Sequence, residues 1–346
     1  MNQARKITKR ITLSIIVVLG LFALWVGWKW FSIKQQDVEF KSGALTIRGS
    51  LLTPRFGNNV PGIVLVHGSG QTSRKSMLLY AWIFASQGYA TLAYDKRGVG
   101  QSEGGVNEWK EFSFDDLASD AAAGYRFLQT RAGVNRQRVG FFGASQGGWV
   151  VALAANQVEP PAFLIMASAS VSTVAEDRIY GREAQVRHHG FGEKEINQAR
   201  ELILLDHQVT RSGQGFENLQ ATWNQYRDAA WFRQVYQNTE PLPVNDPYRE
   251  WERKILDFDP RPHLNKLKTP TLWIFGDPKL DRFSPVQLSL ARLAEAKATG
   301  MPYEIIQLDG AGHTLELESG GAIRSFLQVR LPLLRSLFQW LERQVV

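Results

Sequence analysis

The sequence predicts an α/β protein: a mostly parallel central sheet with helices on both faces, a helical cap insertion, and one N-terminal transmembrane helix. Three observations carry this. Short continuous apolar runs alternate with segments of helical spacing, the pattern of strands buried on both faces. The alternation stops between about Ser172 and Pro270, a polar and aromatic stretch of helical pattern with no convincing strand. Finally, Ile11 to Trp28 carries no charge and is mostly Ile, Val, Leu, Phe and Trp.

That first stretch is long enough for a membrane: 18 residues at 1.5 Å each reach roughly 27 Å, near the hydrocarbon thickness of a bilayer. Lys29 can snorkel, and Trp30 to Ile33 extend the apolar run. Trp25, Trp28 and Trp30 would form an interfacial belt, and Arg5, Lys6, Lys9 and Arg10 before the span place the N-terminus in the cytoplasm. A cleaved signal peptide is the rival, but the run is long and no Ala-x-Ala-like site follows it. The expectation is an uncleaved signal-anchor touching the bilayer through residues 11–31, with the body on the exocytoplasmic side. Without cysteine or Asn-x-Ser/Thr sequons, a bacterial inner membrane is the natural setting.

The elements follow in order. Asp37 to Thr53 reads as a β-hairpin turning at Ser42-Gly43. Ile63–His67 is a buried strand; Met77–Gln87 is a helix stopped by Gly88; Tyr89–Tyr94 is the next strand. Phe114–Arg131 is an alanine-rich helix with Asp115, Asp116 and Asp120 near its start, where the dipole favours them. Arg138–Phe142 is a strand, Gly147–Gln157 a helix and Phe163–Ala167 a strand. After the insertion come strand Thr271–Phe275, helix Val286–Ala298, strand Tyr303–Leu308 and a final helix from about Ala322. The chain thus divides into residues 1–35 (basic tail and anchor), 36–171 and 269–346 (the sheet domain), and 172–268 (the cap).

With 346 residues, 44% hydrophobic and 21% charged, the chain is neither disordered nor low in complexity, and it has a core large enough to need no staples. The absence of cysteine removes disulfides, thiol nucleophiles and Cys-based zinc sites. The net charge of +7 sits at the N-terminus: six basic residues precede the first acid, Asp37, leaving 34 basic against 33 acidic residues. A neutral body argues against nucleic acid as a partner.

The candidate chemistry sits at strand ends. Gly143-Ala144-Ser145-Gln146-Gly147 follows a strand and opens a helix, as a nucleophile elbow requires; glycines two before and two after Ser145 let strand and helix approach. A serine needs a general base, and His313, in Gly310-Ala311-Gly312-His313 after the last strand, is the best placed of six histidines. A carboxylate should follow the preceding strand. Asp281 is preferred, with Asp277, directly after Gly276, open as the alternative or as a turn contact. His67-Gly68-Ser69-Gly70 can aim backbone N–H groups at a developing oxyanion; Gln146 and Ser69, after Gly68, are the candidate donors, and His67 is expected to hold the loop.

These motifs, HGSG at 67–70, DKRGVGQS at 95–102, GASQG at 143–147, GDPKLD at 276–281 and GAGH at 310–313, resemble those of the α/β-hydrolase superfamily. The resemblance is to its capped serine hydrolases of the esterase, acyl-aminoacyl-peptidase and prolyl-aminopeptidase type, and covers roughly residues 60–345 outside the cap. It implies a mainly structural role for the 95–102 loop. Asp281 lies five residues after Gly276, whereas the family usually spaces the acid about three, which keeps Asp277 open.

The remaining histidines give no metal site: His188-His189 and Asp206-His207 lack other clustered ligands, and His263 marks the return from cap to sheet. Cap aromatics Trp223, Tyr226, Trp231, Phe232, Tyr236, Tyr248 and Trp251 serve helix packing or line an apolar pocket. The sequence therefore points to a membrane-anchored serine hydrolase acting on a small or medium ester, thioester or amide, without a cofactor. An aminopeptidase or acyl-peptidase is the alternative; an aminopeptidase would need a cap carboxylate for the substrate amine, with Glu176, Asp177, Glu193, Glu195 and Glu201 available. A non-catalytic binding protein on the same scaffold is the reading from another class.

Overall fold

The computed structural model describes residues 20, 27, 28, 31–105, 112–317 and 321–345. Most of the expected anchor, residues 11–31, lies outside the described residues, and among these no helix is long and apolar enough to cross a membrane. Ile33, read as the end of the anchor's apolar run, instead opens strand β1 (Ile33–Ser42) and is buried in the same apolar cluster as Leu52 of β2 (Leu45–Pro54). Apolarity at that position serves the sheet. The hairpin β1–β2 therefore starts four residues before Asp37, pairing Ile33 with Pro54 at its open end.

Eight strands form one sheet in the spatial order β1-β2-β4-β3-β5-β6-β7-β8. The first three pair antiparallel; from β4 (Ala90–Tyr94) through β3 (Val60–Val66), β5 (Val134–Ala144), β6 (Leu164–Ala167) and β7 (Thr271–Phe275) to β8 (Tyr303–Gln307) all pairing is parallel. Strands β4, β6 and β7 are buried along their whole length, which is why they read as unbroken apolar runs. Alternate side chains feed two cores. Val64 and Val66 join Leu92, Phe141 and Trp273 on one face, while Ile63 and Leu65 join Phe142, Ile165 and Leu272 on the other.

Helices cover both faces. After a 3-10 turn at Arg74–Met77, α1 (Leu78–Ser86) packs Ala81 and Phe84 on one face. The last helix returns to that face with Leu337, Trp340 and Leu341. The opposite face carries α2 (Phe114–Gln129) and α3 (Gln146–Ala155). A capping box starts α2: Ser113 Oγ accepts from Asp116 N while the Asp116 carboxylate accepts from Ser113 N.

Between β6 and β7 lie six helices: α4 (Val174–His188), α5 (Glu193–Ser212), α6 (Phe216–Tyr226), α7 (Ala230–Val235), α8 (Pro247–Ile255) and α9 (Arg261–Leu264). They have a core of their own, in which Val186, Leu202 and Val209 pack with Trp223, Trp231 and Phe232. The chain closes with α10 (Val286–Ala298), a short α11 (Gly321–Ser325), a π-helical turn at Phe326–Arg330 and α12 (Leu331–Val345).

Candidate active site

Ser145 stands at the junction of β5 and α3 with φ 52° and ψ −123°, a conformation that L-residues avoid and that only a tightly determined turn imposes. Ser145 N donates to Ala167 O at 2.8 Å and Gly148 N donates to Ser145 O at 2.9 Å, so both neighbours fix the turn. The flanking glycines are sterically required. A Cβ on Gly143 would lie 2.5 Å from Gly147 O, and one on Gly147 would lie 2.3 Å from Val66 O.

His313 brings its Nε2 to 3.1 Å from Ser145 Oγ, and its Nδ1 lies 3.0 Å from both carboxylate oxygens of Asp281. Asp281 is 1% exposed, and its Oδ1 also accepts from the backbone N–H groups of Phe283 (2.9 Å) and Ser284 (3.0 Å). Three donors thus hold a carboxylate that would otherwise be costly to bury. Asp277 does not reach His313. Its Oδ1 accepts from Lys279 N and its Oδ2 from Gly310 N, making the turn contact and tying the two loops together. Ser168, at φ 51°, donates its hydroxyl to His313 O at 2.6 Å and anchors the histidine loop to the end of β6.

The loop Gly68-Ser69-Gly70 lies against the serine: a Cβ on Gly68 would be 3.3 Å from Ala144 O and 3.5 Å from Ser145 Cβ. Ser69 and Gln146 line the same cavity as Ser145. Gln146 is the first residue of α3, so its N–H has no acceptor within the helix. His67 is buried against the Tyr94 ring, with ring centroids 5.2 Å apart. Burial, with Lys96 close by, pushes it well below the ordinary histidine range. Lys96 ties the loop directly: its Nζ donates to Gly68 O and Gly70 O at 2.9 Å each and to Gln146 Oε1 at 3.3 Å. Desolvation lowers its pKa to about 8. The sequence reading passed over Lys96; its signal was a basic residue beside the Asp95 and Arg97 of a turn motif.

The rest of that motif is structural. Asp95 accepts from Arg74 N and Gln101 N, and Ser102 Oγ donates to Asp95 O. Arg97 donates two 2.7 Å hydrogen bonds to the buried carboxylate of Asp120.

A cavity of about 880 Å³ opens above Ser145 beneath the cap. Phe114, Trp149, Trp251 and Phe283 give it apolar walls, and among the cap aromatics Tyr236 and Tyr248 also face it. Trp223, Tyr226, Trp231 and Phe232 instead pack the cap core. Of the five candidate cap carboxylates, Asp177 alone lines the cavity. Burial raises its pKa to about 6 against the pull of its Ser170 hydroxyl partner at 2.7 Å. Glu176 pairs with Arg292, and Glu201 accepts from Tyr226. His207 also lines the cavity, pushed by burial to about 3. Its neighbour Asp206 is taken by Arg249 at 2.8 Å. Among the described residues, no three His, Asp or Glu side chains converge as a metal site. His263 packs its ring on Phe258 in α9, where the cap returns to the sheet.

A strained serine on a parallel sheet, an imidazole against it and a buried carboxylate behind define the class: a serine hydrolase of the α/β-hydrolase fold. The family model described as serine aminopeptidase, S33, matches residues 58–320, and the chain belongs to that family. A 121-residue stretch is 32% identical to the quorum-quenching protein AidA of Acinetobacter baumannii, covering 35% of this chain and 39% of that protein. A stretch of the same length is 32% identical to the uncharacterized protein PA2218 of Pseudomonas aeruginosa, covering 34% of this chain and 31% of that one. The chain therefore spans 39% and 31% of the length of these two curated relatives. Among solved structures, the Pyrococcus furiosus esterase PF2001 shares the fold with a TM-score of 0.59 at 16% identity, covering 92% of this chain and 94% of that one. The acylaminoacyl peptidase of Pyrococcus horikoshii does so with 0.54 at 19%, covering 91% and 42%.

Proposed function

We propose that this chain cleaves a carboxylic ester, thioester or amide of a small or medium acyl substrate through an acyl-enzyme on Ser145. The observation that carries the reading is the chain of contacts Ser145 Oγ, His313, Asp281, at 3.1 and 3.0 Å, on a serine held at positive φ. His313 Nε2 takes the Ser145 proton as Oγ bonds to the substrate carbonyl carbon, then delivers it to the leaving group as the tetrahedral intermediate collapses. Water repeats the sequence on the acyl-enzyme and frees the acid. Asp281 orients the imidazole and stabilises its charged form. The backbone N–H groups of Gln146 and Ser69, on the turn that starts at Gly68, receive the oxyanion. This chemistry calls on no cofactor.

Residues 172–268 form the cap that selects substrates under this reading, and the apolar walls below it suit an acyl chain. A second reading, cleavage of an aminoacyl amide, is favoured by Asp177, a carboxylate on the cavity wall that could receive a substrate amine. The apolar run at residues 11–31, behind four basic residues, supports a single-pass anchor that holds the catalytic domain on the exocytoplasmic side.

The test is labelling of the protein by a fluorophosphonate, with Ser145→Ala beside it. Labelling of the wild type alone, with turnover of 4-nitrophenyl esters lost in the variant, is the expected result. Equal labelling of the two proteins would sink the assignment of Ser145. Rates on 4-nitrophenyl esters against aminoacyl 4-nitroanilides then separate the two readings.

A further inference from the structure

One buried ammonium touches both sides of the site where the oxyanion is proposed to form. Lys96 Nζ reaches the carbonyls on either side of Ser69, Gly68 O and Gly70 O, at 2.9 Å each. Its third contact is the side chain of Gln146, at 3.3 Å. An ammonium has three N–H donors and no acceptor, so this geometry uses it completely. The side chain is 5% exposed overall, so water offers no competing partners. Carbonyls pulled towards one point behind the loop leave the intervening peptide N–H directed the other way, and Gly70 at φ 81° permits the turn. Hydrogen bonds from a charged donor are among the stronger ones available.

We propose that Lys96 is the positioning residue of the oxyanion hole: it fixes the Gly68–Gly70 turn and the Gln146 side chain relative to each other, so that the amides of Ser69 and Gln146 converge on one point. It touches no reacting atom and acts through the loop. This rests on the hydrolase reading above and deepens it. Removing one oxyanion donor outright costs about 10²–10³ in kcat, and loosening a donor costs less. Lys96→Met, which keeps the length and apolar stem but no donor, should therefore lose roughly ten- to a hundred-fold in kcat with KM changed about two-fold at most.

The experiment measures kcat and KM for 4-nitrophenyl butyrate, and the inhibition constant of butylboronic acid, in wild type, Lys96→Met and Ser145→Ala. The boronate becomes a tetrahedral anion on the serine and so reports on the oxyanion site, whereas KM reports mostly on the acyl pocket. The expected result is a loss of boronate affinity that matches the loss in kcat. An unchanged kcat, or a fall in kcat without weaker boronate binding, overturns the proposal. Turnover that survives in Ser145→Ala overturns the hydrolase reading itself, so the two failures are told apart.

If Lys96→Met does not fold, the wild-type pH profile decides. Nζ loses one of its three donors as pH rises through about 8, so kcat should fall there. Flanking Lys96 in the chain are Asp95 and Arg97, and the group coupled to it through space is His67. Of these, the His67 ring is already neutral at pH 7. A kcat that stays level across the pH range in which the Lys96 ammonium itself titrates, followed by nitrogen NMR of Nζ, removes the proposal.

Discussion

Asp281→Asn separates the two candidate acids more sharply than any other substitution. Oδ1 of Asp281 accepts from Phe283 N and Ser284 N, and an asparagine oxygen in the same place keeps both bonds and so keeps the loop. The amide NH₂ then faces His313 Nδ1, which in the native protein lies 3.0 Å from the carboxylate. An NH₂ group pairs only with an unprotonated ring nitrogen, so the ring proton moves to Nε2. That nitrogen sits 3.1 Å from Ser145 Oγ and can no longer take the serine proton. In the serine-protease triad the equivalent change costs about 10⁴ in kcat, or roughly 5.5 kcal/mol of barrier. The same loss is expected here for 4-nitrophenyl butyrate, with KM little altered and thermal stability retained. Asp277→Asn is the internal comparison. Its two carboxylate oxygens accept separately from Lys279 N and Gly310 N, so the amide keeps one of these bonds and loosens the tie between the loops but leaves the ring tautomer alone; its loss in kcat should stay well short of that of Asp281→Asn. A large loss in Asp277→Asn, with Asp281→Asn nearly as active as wild type, would refute the assignment and the tautomer argument together.

Two further outcomes follow from buried charges. Arg97→Ala leaves the Asp120 carboxylate, 1% exposed, without its two hydrogen bonds and should cost about 3–5 kcal/mol in urea unfolding; Arg97→Met with Asp120→Leu should recover much of that loss. Asp177, with its folded pKa raised to about 6, favours the native state below the ordinary aspartate range and loses that contribution as pH rises through about 6. Asp177→Asn should therefore melt above wild type at pH 8 and converge with it near pH 4. A melting difference that is the same at both pH values would contradict the raised pKa.

The sheet was legible because its parallel strands are buried on both faces and so are apolar throughout, as in Leu164–Ala167 and Thr271–Phe275. The elbow was legible for a steric reason: Gly143 and Gly147 are required by backbone contacts that lie within one short segment. The choice between Asp281 and Asp277 was not, since it depends on how Gly310 from a distant loop captures Asp277. Lys96 escaped notice on similar grounds. Its three acceptors come from two segments, 26 to 50 residues away, so the local turn motif does not show what its ammonium touches. At the N-terminus, Ile33 shows how an apolar run can pass into a strand without a change in composition. The cavity wall was the least readable part, because it forms where α4, α5 and α8 meet, and helical periodicity does not say which helix faces which.

The lacing of the acid and histidine loops has a consequence for how such a site could be rebuilt. Asp277 N donates to Ala311 O at 2.7 Å, Asp277 Oδ2 takes Gly310 N, and a Cβ on Gly276 would sit 2.5 Å from both Ala311 O and Gly312 O. The two loops are thus cut to each other's shape, while the serine belongs to a separate strand and helix. Lengthening one loop by a residue without refitting the other would throw the imidazole off its aim. Transplanting both as a matched pair would carry base and carboxylate together, ready to be set against any correctly angled serine.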